Sequence, residues 1–172
     1  LCVGDKDWDF SKIDIKSSIY EIPEKDGVFD YILCTQVLEH LEFPEKAFFE
    51  FGRLLKKGGK LILTAHLGFG EHQTPYDYFR YTKYGLKSLG ERNNFKLIYI
   101  EPHDGIFINL ESVFWHSVGK IILFKEVPIA RYLTFLLLLP VKFIFGIVFH
   151  FLDIFDREKD YTINYNCIYE KI

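Results

Sequence analysis

Two stretches hold most of the side chains that could do chemistry. The first is Cys34-Thr35-Gln36 with Glu39-His40, directly after the apolar run Phe29–Cys34. The second is the segment 71–82, Glu-His-Gln-Thr-Pro-Tyr-Asp-Tyr-Phe-Arg-Tyr-Thr. An imidazole titrates near working pH, so His72 and His40 are candidate bases for taking a proton from a nucleophile. Asp77 and Arg80 stand three apart and can pair to fix their loop, with Tyr76 beside them as a substrate contact. A plainer reading has Tyr76, Tyr78, Phe79 and Tyr81 packing the loop down, while Glu39 and His40 brace the turn after the strand. For His66 and His103 the same two readings stand, with the plain one favoured more strongly.

These groups need a scaffold. Phe29–Cys34 is short, apolar and β-rich, as in a strand covered on both faces, and in open α/β sheets ligands bind where strands end. Pro44 opens a helix in which Ala47, Phe48, Phe51, Leu54 and Leu55 recur at helical spacing, with Gly58-Gly59 as its stop. Lys60–Ala65 is the next buried strand, followed by a helix over Tyr84–Arg92 and a strand over Phe95–Glu101. Leu1–Val3 reads as the end of a strand and Ile13–Lys16 alternates as a short one. Strands and helices in this order predict an α/β fold with a doubly wound, mostly parallel sheet.

The ordered pieces Ser18–Pro23, Phe29-Asp30 leading into Cys34–His40, Arg53–Gly59 and Leu61–Thr64 resemble the class I S-adenosylmethionine-dependent methyltransferases, of the type 11 kind. The resemblance runs from Asp5 to about Leu97. It implies a Rossmann-like fold, S-adenosylmethionine as cofactor and methyl transfer to a small or lipid-linked acceptor. It places Asp5, with Asp7 next, on the ribose hydroxyls, because a carboxylate accepts two hydrogen bonds at once. Ser18 and Ile19 fall at the adenine positions, where the family usually has an acid, and Cys34, Thr35 and Gln36 border the methionine moiety. Some similar quinone-pathway O-methyltransferases hold a divalent cation with a second Glu three residues before Glu-His. Gln36 stands there instead, so no metal is expected. Leu1-Cys-Val already reads as strand and the chain has no Met. The first strand and its glycine-rich loop are therefore expected upstream of Leu1. Their absence from the sequence motivates the alternative of a methyltransferase-like binding or scaffold protein without chemistry.

Residues 106–160 break the rhythm as an apolar helical insertion between a core at 1–105 and a final strand at 161–172. Tyr132–Phe155 approaches the length of a membrane span, yet Pro140, Lys142 and His150 suggest two shorter helices joined at Val141-Lys142. A single crossing would part the last strand from its sheet. The insertion reads as a lid over an apolar acceptor or as an anchor lying on lipid through 132–155. A net charge of −3 leaves no basic face for nucleic acid. Three scattered cysteines fit reduced thiols, hence a cytoplasmic protein, peripheral at the inner membrane face in the anchor reading.

Overall fold

The computed structural model describes residues 11–121 and 128–172. Asp5, Asp7 and the strand expected at 1–3 lie outside the described residues. The elements are β1 (Phe29–Thr35), a single 3-10 turn (Leu38–His40), α1 (Pro44–Leu54), β2 (Leu55–His66), α2 (Lys83–Arg92), β3 (Phe95–Pro102), α3 (Ile106–Ile121), α4 (Pro128–Asp153) and β4 (Asn164–Lys171). They part into two compact units, one of residues up to Glu101 with Asn164–Ile172, the other Pro102–Ile163.

In the first unit the sheet order is β1-β2-β4-β3. β1 runs parallel to β2, and β4 inserts antiparallel beside β2. This is a mixed sheet in an α/β fold, with the late strand β4 reversed against β2. In β2, Leu61, Leu63 and Ala65 point into the core as period-2 alternation requires. Ala47, Phe48 and Phe51 of α1 and Leu86 and Leu89 of α2 meet them there. At the centre Tyr169 is fully buried, edge-on to Phe48 at 5.5 Å and Phe95 at 6.3 Å, its hydroxyl donating to the Leu86 carbonyl at 3.0 Å.

Three expectations are corrected here. β1 is not covered on both faces: Tyr31 is 65% and Leu33 70% exposed, because both described helices of this unit pack on the side of Cys34. Ile13–Lys16 forms no strand; Ile13 and Ile15 are both exposed, so their alternation has no buried face to serve. The first helix stops at Leu54 rather than at Gly58-Gly59. Leu55 is already extended and paired with Phe29. The carbonyls of Arg53 and Leu54 accept the N–H groups of Gly27 and Val28 at 2.9 Å each, which satisfies the helix end without a glycine cap. The glycines instead shape an irregularity inside β2, where Gly58 has φ +76° and the register shifts between Phe29 and Tyr31.

The second unit is a helical hairpin. Phe145 stacks on Phe114 at 5.3 Å and meets Trp115 at 6.0 Å, and Phe149 meets Phe107 at 6.5 Å. α4 is one helix through Pro140, not two joined at Val141-Lys142. The proline costs about 3 kcal/mol in a helix interior, and the aromatic packing on α3 offsets it. The start of α3 is capped from the far end of α4. Asp153 accepts the N–H groups of Gly105, Phe107 and Ile108 at 2.9, 3.2 and 3.3 Å, and Asp156 accepts that of Ile106 at 2.8 Å. Hydrogen bonds from the Ile106 and Lys159 backbones hold the Asp156 carboxyl below its ordinary pKa, against a smaller opposing effect of burial.

Candidate active site

The carboxyl ends of β1 and β2 carry the site. Thr35 and Thr64 are opposite one another in the parallel register, and the chain then turns at Gln36 with φ +54°. Thr64 Oγ1 accepts both the Gln36 backbone N–H and its side-chain amide at 3.1 Å. The same amide donates to Asn164 Oδ1 at 3.3 Å, so Gln36 ties together the ends of β1, β2 and the start of β4. Cys34 points into the core, and burial, helped by the charge of Glu39, pushes its thiol up to about 12. Only its backbone is left to serve a ligand.

The 3-10 turn after Gln36 places Glu39 inside the protein. Its side chain is fully buried, and neither carboxylate oxygen has a hydrogen-bond partner among the described residues. Oε1 lies 3.2 Å from His66 Nε2 and 4.0 Å from His40 Nε2, neither in the alignment of a hydrogen bond. The expected brace is thus half right. His40 does brace, its Nδ1 standing 2.6 Å from the Tyr76 carbonyl, and the Glu39 carbonyl accepts the Tyr78 and Phe79 N–H groups. The Glu39 carboxylate caps nothing.

Residues 67–82 fold back over these strand ends. Tyr81 donates its N–H to the His66 carbonyl at 2.7 Å and its hydroxyl to the Leu38 carbonyl at 3.1 Å. Asp77 and Arg80 form the expected pair, bidentate with both contacts at 2.7 Å. Arg80 also donates to the carbonyls of Phe69, Gly70 and Phe79. Asp77 accepts the His72 N–H at 2.9 Å. The Arg80 guanidinium, with that N–H, holds the Asp77 carboxyl well below the usual carboxylate range despite its burial. Tyr76, Tyr78 and Phe79 remain between 40% and 45% exposed, so of the four aromatics only Tyr81 is packed down.

The folded loop gathers three imidazoles. His72 meets His40 at 4.7 Å and His66 at 5.3 Å between ring centroids, and Phe69 stacks on His66 at 4.5 Å. Burial pushes His66 below its ordinary pKa while the Glu39 carboxylate opposes that shift. His72 is the most accessible of the three, with 25% of its side chain exposed against 11% for His40 and 8% for His66. The sequence favours a plain packing role for His66, although its place directly after the buried Ala65, at the carboxyl end of β2, is a signal for the site. His103 lies in the other unit.

The methyltransferase-domain family matches residues 6–63, which run from before the adenine segment to the middle of β2. Phosphoethanolamine N-methyltransferase 2 of Caenorhabditis elegans is 33% identical over 69 residues, covering 39% of this chain and 16% of that protein. The fold aligns with phosphoethanolamine N-methyltransferase 2 of Haemonchus contortus, solved in complex with S-adenosyl-L-methionine, with a TM-score of 0.50. That alignment has 18% identity and covers 90% of this chain and 35% of the other. Residues 6–63 thus carry a methyltransferase-domain match, and the chain shares its fold with solved methyltransferases. The cyclase SpnF aligns as well, at a TM-score of 0.51 and 16% identity over 90% of this chain and 54% of that one. The methyltransferase fold alone therefore does not name a reaction. The matched segments span between 16% and 21% of the length of the curated relatives.

The residues present fit S-adenosylmethionine, the group bound in the Haemonchus contortus structure, on the side described. Ser18 and Glu21 close a tight turn by an isolated bridge, and Ser18 Oγ accepts the Tyr20 N–H at 3.2 Å. The Tyr20 hydroxyl accepts the Phe43 N–H at 3.3 Å, which sets this turn beside the start of α1. Ile19 is buried in the same core as Cys34 and Leu38. Polar backbone from 18–21 and exposed polar atoms of Thr35 and Gln36 thus flank one strand end, with apolar side chains beneath.

Proposed function

We propose that this methyltransferase transfers a methyl group from S-adenosylmethionine to a small, apolar or lipid-linked acceptor. The observation that carries the reading is the enclosed Glu39–His40–His66–His72 cluster beside the strand ends of the family-matched segment, open to solvent chiefly at His72. Asp5 would hold the ribose hydroxyls, the turn at Ser18 and Ile19 the adenine, and Cys34, Thr35 and Gln36 the methionine end. When bound, the cofactor supplies an activated methyl on a sulfonium centre. The protein's own task is positioning: Asp77 and Arg80 fix the loop, Tyr76 flanks the mouth, and His72 stands where it can take the acceptor's proton, with His40 behind it. The test is transfer of radiolabelled methyl from S-adenosylmethionine to extracted membrane lipids. Label in the lipid fraction, reduced about 10²- to 10⁴-fold in kcat by His72→Ala, is expected. Label that appears undiminished in His72→Ala would remove the base from this reading.

The acceptor class rests on the second unit. The helix segment Tyr132–Asp153 contains an 18-residue window of mean hydropathy 2.3, none of it buried. An open groove of about 1070 Å³ runs along α4, lined by Phe135, Leu139, Phe143 and Ile147 with Glu111 and Lys142 among them. A helix apolar on every side suits a lipid environment better than water. In the chain, the helical hairpin lies between β3 and β4, which are neighbours in one sheet. This favours an anchor over a single crossing, with the protein peripheral at a cytoplasmic membrane face. Flotation with vesicles of phosphatidylethanolamine and phosphatidylglycerol tests it. The wild type should float and the Phe143→Glu/Ile147→Glu variant should not; equal behaviour of the two contradicts the anchor.

A further inference from the structure

We propose that Glu39, His66 and His72 bind a divalent first-row transition metal, with zinc the best fit. The ligand set differs from the one the sequence argued against, since position 36 takes no part. The three ligating atoms lie within 4.8 Å of one another. Glu39 and His66 are already spaced for a shared ion. Zinc–ligand bonds of about 2.0–2.1 Å at tetrahedral angles put neighbouring ligands about 3.3 Å apart, and His66 Nε2 to Glu39 Oε1 is 3.2 Å.

A second, independent observation points the same way. The Glu39 side chain is 0% exposed, and among the described residues neither of its oxygens has a hydrogen-bond partner. A buried carboxylate in that state is costly unless a cation or donors compensate it. Arg80, the cation on this loop, is committed to Asp77 and three carbonyls. The His66 and His40 imidazoles approach the carboxylate at 3.2 and 4.0 Å.

The outer partners fix the ligands as metal sites require. His72 Nδ1 faces the Gly70 carbonyl at 3.1 Å and Asp77 Oδ2 at 3.5 Å, so Nδ1 carries the proton and Nε2 is left as the ligating nitrogen. Phe69 stacked on His66 holds that ring's plane. Two histidines and one carboxylate suit zinc and its first-row neighbours rather than magnesium or calcium. Three protein ligands leave a fourth position for water or an acceptor oxygen. His40 Nε2, buried and without a hydrogen-bond partner among the described residues, stands 4.0 Å from Glu39 Oε1. With the ion bound His72 is a ligand and no longer a free base, so its two roles are alternatives that metal content separates.

The experiment is zinc content by mass spectrometry after chelator treatment, reloading with zinc alone and gel filtration of the full-length protein. About one zinc per chain should be retained in the wild type and in His103→Ala, whose site lies in the other unit. Glu39→Gln, His66→Ala and His72→Ala should retain far less. Because Glu39 and His66 are buried, the variant on the accessible loop, His72→Ala, decides the matter, with circular dichroism confirming its fold. Cobalt(II) reloading should give the visible absorption of a four-coordinate site in the wild type and lose it in His72→Ala. No retained zinc, or equal retention in a folded His72→Ala, overturns the proposal. Zinc retained without S-adenosylhomocysteine binding would instead overturn the methyl-transfer reading and leave the metal site standing.

Discussion

Replacing Asp77 by Asn should open the loop that carries His72 while leaving the sheet intact. The Asp77 side chain is 4% exposed and accepts three hydrogen bonds, two from Arg80 at 2.7 Å and one from the His72 N–H at 2.9 Å. Asparagine is nearly isosteric but presents an NH₂ group to one of the guanidinium donors. Two charge-assisted bonds are worth roughly 1.5–3 kcal/mol each. They do not sum, because Arg80 keeps its carbonyl partners and 24% of its side chain is already exposed to water. A net loss of about 2–3 kcal/mol in loop closure follows, or roughly a 30- to 150-fold increase in the open population. Hydrogen exchange of the segment 68–82 reads this directly, through the amides of His72, Tyr78 and Tyr81.

The pH dependence follows from the sign of the shift. The folded carboxyl of Asp77 titrates below its unfolded value of about 3.9, so its contribution is fully present above that pH. Wild-type protection should persist through the neutral range and fall only as pH drops below about 4 toward the folded pKa. Asp77→Asn should lack that part of the dependence. Unchanged exchange in the variant at neutral pH would refute the claim that this pair holds the loop.

Gly90→Ala sets two effects against each other: alanine gains about 1 kcal/mol of helix propensity, while its Cβ would lie 2.5 Å from Tyr169 Cε1. Tyr169 is walled in by Phe48 and Phe95, so overpacking of roughly 1–3 kcal/mol should win, and urea unfolding should show net destabilisation. Asp153→Ala removes the acceptor of three N–H groups at the start of α3 and should cost about 1–2 kcal/mol, read as a lower thermal midpoint. Cys34, 5% exposed and with its thiol pushed up to about 12, should resist alkylation in the native protein and react only after denaturation.

The strands, helices and their order were legible because the apolar spacing of β2 and α1 is set locally, by residues such as Leu61, Leu63, Phe48 and Phe51. The Asp77–Arg80 pair was legible for the same reason, since three residues separate its partners. What depended on distant packing was not. The end of α1 is fixed by N–H groups of Gly27 and Val28, far away in sequence, which made the glycine pair downstream a misleading stop. The continuity of α4 through Pro140 depends on rings of α3. The burial of Glu39 depends on a loop some thirty residues later that covers it, so a residue that read as a turn brace became the centre of a histidine cluster. The exposed face of Tyr31 and Leu33 likewise cannot be told from a covered one by hydropathy alone.

The measurement that bears most directly on this account is a calorimetric titration of S-adenosylhomocysteine into the full-length protein and its Asp5→Ala variant. The account predicts saturable binding by the wild type, weakened in Asp5→Ala by roughly 1.5–3 kcal/mol, the scale of a lost charge-assisted hydrogen bond. No binding by the folded wild type would contradict the reading of the strand ends at Thr35 and Gln36 as a cofactor site, and unchanged affinity in Asp5→Ala would remove Asp5 from it.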